Sequence, residues 1–544
     1  MRIVPIDIPE LGNRSYLVHD EHTAVVIDPS RRTQQIIDKA EAEHVTIRAV
    51  FETHVHNDYV TGGFTLARQA GAPYYISNAD EVSFAHEPLK PEQPISVGTL
   101  TITAVATPGH THNHIGYLIT TENGPASFFS GGSLLYGAVG RTDLISEDAT
   151  KPLAHAQYQT AQHLVARLTP NTKLYPTHGF GSFCAATQTE DVAVSTIAQQ
   201  LRTNPVFASE EEAFVQRLLD GLDVHPAYYA RMAPLNAAGP LEPDLTPPQQ
   251  LTQAEVLKAL HMGSAVVDMR ARIAYASKHV PGTFNVESGN DLATYIGWLI
   301  RWKSPLILIS SNSDEVSAAQ EQLSLIGRGL IAGQTTPTHL LSGYSQVASY
   351  PARTFADLQE AAYDSLFILD VRRISEWNAA HVRNARHIPL HEIAQRIHEL
   401  PRDEPIWVYC ASGFRASIAT SMLSTNGLHP SLINDNFSNA FRVGLVDTIK
   451  ELYVAEIEHG NAQLIDVRDD TEWDTSHARE AVHVPVGKIL AGDLDMLDAN
   501  KTTYIYCETG ERSGMAEHFL RDMGFDAVNI GGMDDWLRAG GVST

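Results

Sequence analysis

Two cysteines near the end of the chain stand in similar short segments. One reads Cys410-Ala-Ser-Gly-Phe-Arg415 and the other reads Cys507-Glu-Thr-Gly-Glu-Arg512. Each cysteine ends an apolar run of strand length, and the residues after each segment have a helical pattern. A loop between strand and helix directs backbone N–H groups at the sulfur, where the helix N-terminus favours an anion. The sequence therefore predicts a stabilised, nucleophilic thiolate at each position.

The glycine and the arginine of each segment have predicted roles of their own. Gly413 and Gly510 permit the tight turn and let the N–H groups approach a bound sulfur donor. Arg415 and Arg512 add positive charge that attracts an anionic donor such as thiosulfate. A buried structural cysteine is the alternative interpretation at either position.

The segments around both cysteines are repeated along the chain. FILDVRRISEWNAAHVRNARHIP precedes the first cysteine and QLIDVRDDTEWDTSHAREAVHVP precedes the second, and the cysteines lie 97 residues apart. A weaker copy, AVVDMRARIAYASKHVPGTFNV, comes earlier; it is followed by Ser310 where the others have cysteine and by Glu315 where they have arginine. A serine without an adjacent base is a poor nucleophile, so we expect this copy to be structural.

Both cysteine-containing copies resemble the rhodanese family, whose active-site loop reads Cys-x-x-Gly-x-Arg. The related cysteine-based phosphatases insert one more residue to accommodate phosphate, whereas four residues intervene here. The resemblance implies a parallel sheet with helices on both faces. It also implies a sulfurtransferase in which Cys410 and Cys507 carry persulfides. The implied donor is thiosulfate or a low-molecular-weight thiol persulfide.

A histidine-rich motif, THVHNDY, follows an apolar strand near the start of the chain. Later strands are followed by TPGHTHNHIG and by YPTHGFG. Imidazoles and carboxylates that cluster at strand ends are typical metal ligands, so we predict a metal site here. The predicted ligands are His54, His56 and His110, with Asp58 and His178 as weaker members.

About the first 235 residues resemble the metallo-β-lactamase family, and within it the persulfide dioxygenases. The segment Gly140-Arg141-Thr142-Asp143 matches a motif of the dioxygenases, which implies that Arg141 contacts substrate. Fusion of this fold to rhodaneses is an architecture of the same family. The resemblance implies one zinc or iron ion in the N-terminal domain and no other cofactor.

At two ligand positions the chain departs from the family pattern. Tyr59 replaces a second-site histidine, and Gly132 replaces the aspartate of the family's T-G-D turn. Iron(II) in such sites needs that carboxylate, whereas zinc accepts three imidazoles and a water. We therefore expect zinc or no metal, and a gain in iron binding on Gly132→Asp. His112 and His114 are either compensating ligands or polar loop residues, and the loop interpretation is favoured for His112.

The predicted fold class is a multidomain α/β chain. We expect a metallo-β-lactamase-like αββα sandwich over residues 1–240 and a degenerate rhodanese-like domain, containing Ser310, over 249–345. Rhodanese domains are expected over 353–446 and 455–544.

The composition of the chain limits the functions that it can have. The hydrophobic fraction of 43% and the charged fraction of 19% are ordinary for a globular protein. The formal charge of −25 argues against partners such as nucleic acid or an anionic membrane. The N-terminus lacks the pattern of a signal peptide, and three cysteines form no disulfide framework, so we expect a cytoplasmic protein. The sequence leaves a homodimer open.

Two alternatives concern the first 240 residues. They could form a non-catalytic binding module that presents a thiol substrate or a partner to the rhodaneses. They could instead form a zinc-dependent thioester hydrolase of the glyoxalase II type. The missing carboxylate at position 132 and the G-R-T-D motif count against the hydrolase.

Overall fold

The computed structural model describes residues 1–122, 124–186, 189, 193–361, 366–447 and 452–544. These residues form two compact units, Met1–Ala348 and Ser349–Thr544. No helix within the described ranges is both long and apolar enough to cross a membrane.

The elements of the first unit alternate between strands and helices. The strands are β1 (Arg2–Ile8), β2 (Asn13–His19), β3 (Thr23–Ile27), β4 (Thr46–Phe51), β5 (Tyr74–Ser77), β6 (Glu87–Leu89), β7 (Pro94–Val97), β8 (Leu100–Ala106), β9 (Ile115–Thr120), β10 (Ser127–Gly131), β11 (Lys173–Pro176), β12 (Ser195–Thr196), β13 (Ala265–Asp268), β14 (Phe284–Asn285), β15 (Leu306–Ile309) and β16 (Ile331–Thr335). The helices are α1 (Thr33–Ala42), α2 (Gly63–Ala70), α3 (Glu147–Arg167), α4 (Ile197–Thr203), α5 (Glu211–Asp220), α6 (Tyr229–Ala237), α7 (Gln253–His261), α8 (Arg272–Ser277), α9 (Leu292–Leu299), α10 (Ser313–Leu325) and α11 (Pro337–Leu341).

Two sheets face each other in the N-terminal part of this unit. Their strand orders are β1-β2-β3-β4-β5-β6 and β12-β11-β10-β9-β8-β7. Inward-facing side chains such as Tyr16 and Phe51 from one sheet pack against Ile102 and Tyr117 from the other. Helices α1 and α2 cover the outer face of the first sheet, and α3 and α5 cover that of the second. The predicted αββα sandwich is confirmed.

A smaller parallel sheet, in the order β14-β13-β15-β16, follows the sandwich. Its apolar strands are buried on both faces, as parallel strands between helices require. It is tied to the sandwich by a hydrogen bond from the Val60 N–H to the Leu325 carbonyl (2.7 Å) and by an Arg32–Glu321 ion pair (2.7 Å). The loop that follows the histidine motif is therefore held partly by this smaller sheet.

The second unit repeats one strand–helix pattern. Its strands are β17 (Ala352–Arg353), β18 (Phe367–Asp370), β19 (His381–Val382), β20 (Arg386–His387), β21 (Pro405–Tyr409), β22 (His429–Ile433), β23 (Val446–Asp447), β24 (Ala462–Asp466), β25 (Ala481–His483), β26 (Thr502–Cys507) and β27 (Ala527–Gly532). Its α-helices are α12 (Phe355–Glu360), α13 (Ile374–Ala379), α14 (Ile393–Arg396), α15 (Phe414–Thr425), α16 (Ser438–Arg442), α17 (Leu452–Glu458), α18 (Asp470–Thr475), α19 (Val486–Leu490), α20 (Glu511–Asp522) and α21 (Met533–Arg538), and 3₁₀ turns cover Leu390–Glu392 and Ile397–Glu399.

The two main sheets of this unit are parallel. Their strand orders are β17-β22-β21-β18-β20 and β25-β24-β26-β27, and β19 and β23 form a separate antiparallel pair. The cysteine loops follow the central strands β21 and β26, and helices α15 and α20 begin directly after them. The predicted parallel α/β architecture is confirmed for both cysteine-containing segments.

The shared tryptophan and histidines of the repeat form a stack in each copy. The Trp377 ring lies 3.7 Å from the His381 ring centroid, and the Trp473 ring lies 3.6 Å from that of His477. Both pairs are nearly coplanar, with interplanar angles of 13° and 10°. The two copies therefore share a structural contact between neighbouring elements as well as the cysteine loop.

Candidate functional site

The first cysteine loop joins β21 to α15. Gly413 has a backbone φ of +90°, a left-handed conformation that favours glycine. This turn directs the Gly413 N–H at the Cys410 Sγ, 3.2 Å away. The thiol is 1% exposed, so donors other than water must satisfy a negative charge on the sulfur.

The second cysteine loop has the same geometry with one additional donor. Gly510 has φ of +92°, and its N–H lies 3.1 Å from the Cys507 Sγ. The Ser513 hydroxyl donates to the same sulfur at 3.4 Å. Burial by itself raises the pKa of Cys507, but hydrogen bonds from Ser513, Thr509 and Gly510 outweigh burial and lower the pKa. The structure therefore favours a thiolate at Cys507.

Each loop arginine is paired with a glutamate from the E-W segment of the repeat. The guanidinium of Arg415 contacts both carboxylate oxygens of Glu376 at 2.6 and 2.7 Å. Arg512 contacts Glu472 in the same way, with both distances 2.6 Å. Burial raises the pKa of Glu376, but the ion pair with Arg415 brings it to about 2. The arginines are therefore oriented by a carboxylate, a contact that the sequence analysis did not predict.

The D-V-R segment forms a second ion pair beside each loop. Arg372 binds Asp370 at 2.6 Å, and its guanidinium lies 3.8 Å from the centroid of the Phe437 ring. A cleft of about 240 Å³ opens next to Ala411, the residue after the cysteine. The cleft is lined by Arg372, Glu376, Ala411, Phe437, Asp534 and Arg538. Residues from α21 thus complete the wall beside the first cysteine loop.

The two loops differ in charge. Ala411 and Phe414 of the first loop correspond to Glu508 and Glu511 of the second. The Glu508 side chain is 59% exposed and lies 3.3 Å from Arg468. The second thiol therefore has two carboxylates in its loop that the first thiol lacks.

The third copy of the repeat keeps the structural ion pair but has no cysteine. Arg270 binds Asp268 at 2.6 Å, as in the other copies. The Ser310 hydroxyl donates a hydrogen bond to the Glu315 carboxylate and accepts one from the Asn312 N–H at 3.1 Å. Glu315 thus holds the turn closed, whereas the other two copies have an arginine at this position. That Ser310 has no catalytic role stays a prediction.

The histidines of the first unit meet at one edge of the sandwich. His54 follows β4, His110 follows β8, and His178 follows β11. Their side chains are buried, with residue exposures of 1%, 0% and 0% respectively. Residues from separate strands therefore converge in one buried cluster, as the strand-end positions predict.

The hydrogen bonds of His54 and His178 leave one acceptor nitrogen on each ring. The Thr53 hydroxyl donates to Asp28, so it accepts from the His54 Nδ1, 2.8 Å away. The His178 Nδ1 lies 3.2 Å from the Asp58 carboxylate, which can only accept. The two Nε2 atoms then face each other at 3.5 Å with lone pairs. This arrangement calls for a cation between them.

The distance between these nitrogens fits a metal ion. Two ligands about 2.0–2.1 Å from a tetrahedral zinc lie about 3.3 Å apart. The ligand atoms of His54, His56 and His178 lie within 4.8 Å of one another, and so do those of His110, His178 and Cys184. The residues present therefore fit a metal, and His178, predicted as a weaker member, belongs to both groups.

His56 lies between two carboxylates on the side away from this centre. Its Nε2 is 3.0 Å from Glu52 and 3.3 Å from Asp28. Burial lowers the pKa of His56, but these carboxylates raise it to about 10, while burial raises the pKa of Glu52 to about 7. Neither ring nitrogen of His56 makes a hydrogen bond within the described residues, although Nε2 lies close to both carboxylates. The carboxylates favour a protonated His56, which offers no lone pair to a metal until it loses a proton.

The backbone at Gly132 leaves no room for the aspartate that the metallo-β-lactamase family has at this position. A Cβ at this position would lie 2.2 Å from the His110 ring. The Gly132 N–H donates to the His114 Nε2 at 3.0 Å, and the His114 Nδ1 lies 2.7 Å from the Thr107 hydroxyl. His114 therefore holds the glycine turn instead of a metal. An aspartate at position 132 would displace the His110 ring, so the structure argues against the expected gain in iron binding from Gly132→Asp.

Arg141 is engaged within the protein. Its guanidinium contacts both carboxylate oxygens of Asp143 at 2.7 Å, as well as the carbonyls of Phe183 (3.0 Å) and Asp223 (2.6 Å). The residue is 2% exposed. The Arg141 side chain thus holds three loops together, and the predicted contact of Arg141 with substrate stays a prediction.

Sequence and structure comparisons match both halves of this description. The Metallo-beta-lactamase superfamily profile matches residues 8–178, and the Rhodanese-like domain profile matches residues 352–441 and 450–539. The chain carries a metallo-beta-lactamase domain and two rhodanese-like domains.

Among curated proteins, the chain is similar to a hydroxyacylglutathione hydrolase of Dictyostelium discoideum, with 29% identity over 187 residues. The match spans 33% of this chain and 66% of that protein. A probable polyketide biosynthesis zinc-dependent hydrolase of Bacillus subtilis is 26% identical over 31% of this chain and 74% of its own length. Both matches concern about a third of the chain.

Two solved structures are also similar. A metallo-beta-lactamase from Staphylococcus aureus is 25% identical with a TM-score of 0.56, over 62% of this chain and 99% of that one. ETHE1 from Myxococcus xanthus is 27% identical with a TM-score of 0.38, over 44% of this chain and 99% of that one.

The metallo-beta-lactamase domain contains the third cysteine of the chain. Cys184 lies outside the rhodanese-type loops, and its side chain is fully buried beside His110 and His178. Its segment is joined to the G-R-T-D turn, because the Arg141 N–H donates to the Cys184 carbonyl at 2.8 Å. The position of Cys184 outside the histidine motifs left no sequence signal for this contact.

Proposed function

We propose that this protein is a sulfurtransferase that moves sulfane sulfur through cysteine persulfides on its rhodanese-like domains. The observation that carries the proposal is the pair of buried thiols, each with a loop glycine N–H at hydrogen-bond distance from its sulfur. Cys410 and Cys507 are the nucleophiles. The same N–H groups support a persulfide anion, which extends the sulfur by one atom within the anion-binding loop.

The transfer occurs in two displacement steps. The cysteine thiolate attacks the outer sulfur of thiosulfate, the S–S bond breaks, and sulfite leaves with the bonding electron pair. With a thiol persulfide as donor, the leaving group is the thiolate. An acceptor thiolate then attacks the outer sulfur of the enzyme persulfide, and the cysteine thiolate is regenerated. Neither step changes the net oxidation state of the reacting set.

The cleft beside the first loop supports a small donor. Its volume of about 240 Å³ suits thiosulfate or a low-molecular-weight thiol persulfide rather than a protein segment. Arg372 and Arg538 line it together with Glu376 and Asp534, and Phe437 supplies an apolar wall. We propose this cleft as the entrance to Cys410.

The metallo-beta-lactamase domain is proposed to act on a thiol-derived substrate with a zinc or iron ion. Two groups of residues are placed to hold an ion: His54, His56 and His178 form one, and His110 and His178 belong to the other. A bound ion would supply Lewis acidity toward a sulfur or carbonyl group. Asp28, Asp58 and Thr53 orient the rings through the hydrogen bonds described above, which fixes the tautomer of each ligand.

Thioester hydrolysis is the second candidate for this domain. The similarity to a hydroxyacylglutathione hydrolase over 187 residues favours it. Thiol release from a hydroxyacyl thioester of glutathione would be measured with the Cys410→Ser/Cys507→Ser chain. Thiol release that depends on added zinc would support the hydrolase function, and no release above background would exclude that function.

The sulfurtransferase proposal is tested with cysteine variants of the full chain. We expect each of Cys410→Ser and Cys507→Ser to lose part of the thiosulfate-to-cyanide transfer rate and the double variant to lose nearly all of it. Ser310→Ala is the matched control and should keep the wild-type rate. Wild-type activity in the double variant would show that neither cysteine takes part in the reaction. A tenfold loss in Ser310→Ala would give the third copy a catalytic role.

A further inference from the structure

Cys184 lies in the buried cluster of the metallo-beta-lactamase domain although it belongs to none of the histidine motifs. Its segment runs antiparallel to the G-R-T-D turn, with a hydrogen bond from the Ala186 N–H to the Val139 carbonyl at 2.9 Å and an isolated bridge between Gly140 and Ala185. This pairing fixes the backbone of Cys184. The side chain is fully buried, as a ligand to an enclosed ion would be.

A second observation at the same place points to a cation. The His110 Nδ1 lies 2.7 Å from the Arg141 carbonyl, which can only accept, so Nδ1 carries the proton and Nε2 carries a lone pair. That Nε2 is buried and has no hydrogen-bond partner within the described residues. The ligand atoms of His110, His178 and Cys184 lie within 4.8 Å of one another. An orphaned acceptor nitrogen therefore faces a thiol and a second imidazole.

We propose that the metallo-beta-lactamase domain binds a divalent cation through Cys184, His110 and His178. The Cys184 thiolate supplies the anionic ligand that Gly132 cannot supply. This site is independent of the proposed sulfurtransferase function, because no residue of the rhodanese-like domains takes part.

The geometry of His178 requires a choice between the two possible ligand sets. Its Nδ1 is engaged by Asn13 (3.0 Å) and Asp58 (3.2 Å), so only Nε2 remains for an ion. The set with His54 and His56 contains imidazoles alone. The set with Cys184 contains a thiolate, which offsets the charge of a divalent ion in a buried place.

The donor set also selects the kind of metal. Imidazole and thiolate are both donors that tetrahedral zinc accepts, and three protein ligands leave a fourth position open for water. On binding, a sulfur–metal bond forms and the thiol proton leaves to solvent, with no change of oxidation state. Zinc or cobalt(II) should therefore bind in preference to iron(II), which prefers a hard carboxylate beside its imidazoles.

Cobalt(II) tests the proposal because thiolate ligation has an optical signature. The full chain carrying Cys410→Ser and Cys507→Ser keeps Cys184 as its sole thiol. We expect one equivalent of cobalt(II) to produce a thiolate-to-cobalt charge-transfer band in the near ultraviolet. Bound cobalt that shows visible bands without this charge-transfer band would place the ion on imidazoles alone and overturn the proposal. Failure to bind cobalt or zinc at all would overturn it as well.

Two further variants locate the ligands without relying on activity. Adding Cys184→Ser should abolish the charge-transfer band and weaken zinc binding at least tenfold, measured by competition with a chromophoric chelator. His110→Gln should weaken zinc binding by a similar factor while the band of any residual cobalt complex persists. Circular dichroism of each variant shows whether it has folded. If Cys184→Ser does not fold, the spectrum of the parent with Cys184 still decides the question.

Discussion

At the scale of single residues, the two thiols have the same hydrogen-bonding loop but different charged neighbours. Glu508 and Glu511 replace Ala411 and Phe414 in the second loop. An anionic donor approaching Cys507 therefore meets two carboxylates that are missing at Cys410. Because Coulomb interactions at these short distances are worth about one to several kcal/mol, the difference is large enough to set donor preference.

Exchanging one charge between the loops should change thiosulfate use in opposite directions. We expect Ala411→Glu, assayed with Cys507→Ser, to lower kcat/KM for thiosulfate roughly three- to tenfold. Glu508→Ala, assayed with Cys410→Ser, should raise it by a similar factor, because the approaching anion meets one carboxylate fewer and Arg468 keeps only Asp466 as its partner. Ala411→Gln is the uncharged control. The effect should shrink at high salt, and equal losses for Glu and Gln at position 411 would show a steric cause instead.

Ser513 provides a prediction about pH. The lowered pKa of Cys507 means that its thiolate persists to lower pH than an ordinary thiol, so reactivity falls only as pH drops through that lowered pKa. Ser513→Ala removes a donor to the sulfur and should move the midpoint of iodoacetamide alkylation to higher pH. The measurement uses the Cys410→Ser chain. Alkylation of Cys410 in the Cys507→Ser chain should not respond to Ser513→Ala, and an unchanged Cys507 midpoint would contradict the assigned role.

At the scale of elements, the strand–loop–helix unit positions each sulfur. The helices α15 and α20 begin immediately after glycines in the left-handed conformation, and each has 12 residues. The turn brings the first N–H groups of the helix toward the sulfur, where they and the helix dipole favour negative charge. The position of the sulfur thus depends on one backbone conformation per loop.

Replacing the loop glycine should damage both stability and transfer. Gly510→Ala forces a side chain into a backbone with φ of +92° and should cost about 1–2 kcal/mol in the free energy of unfolding. The displaced N–H should also slow the transfer by Cys507, measured in the Cys410→Ser chain. Gly514→Ala in the same helix is the control, because alanine favours a helix interior by about 1 kcal/mol. Similar effects at both positions would mean that the loop conformation is not special.

At the scale of the whole molecule, each compact unit has its own buried cores. In the first unit, Ile307 packs with Val256 and Leu340 in the smaller parallel sheet. In the second unit, Ile433 packs with Phe355 and Tyr409. Because these apolar clusters are separate, we expect substitutions to destabilise the unit that contains them.

A core substitution should therefore lower the thermal stability of the unit that contains it and leave that of the other unit unchanged. Ile307→Ala should cost about 2–5 kcal/mol and lower the unfolding temperature of the first unit, while thiosulfate transfer keeps its thermal inactivation curve. Ile433→Ala is the reciprocal control and should shift that curve. Calorimetry and residual transfer activity after heating check both expectations. A common shift of all transitions in either variant would show that the units unfold together.

Much of the cysteine loop could be predicted from the sequence because its geometry is local. Cys410, Gly413 and Arg415 lie within six residues, so strand, turn and helix patterns suffice to place the N–H donors around the sulfur. The internal repeat added a second independent copy. The parallel sheets followed from the alternation of strand and helix patterns. The αββα sandwich was implied only by the resemblance of the histidine motifs to the metallo-β-lactamase family.

The tertiary structure decided what depends on contacts between distant segments. Only packing brings Glu376 to Arg415, or Cys184 to His110, because no periodic pattern relates residues separated by dozens of positions. Gly132 shows the same limit: its sequence position indicates a lost ligand, but the space it would need is filled by an imidazole from another loop. The sequence by itself determined the reactive groups and their strand-end positions. The tertiary structure determined their partners, since burial and hydrogen bonding are properties of the packed molecule.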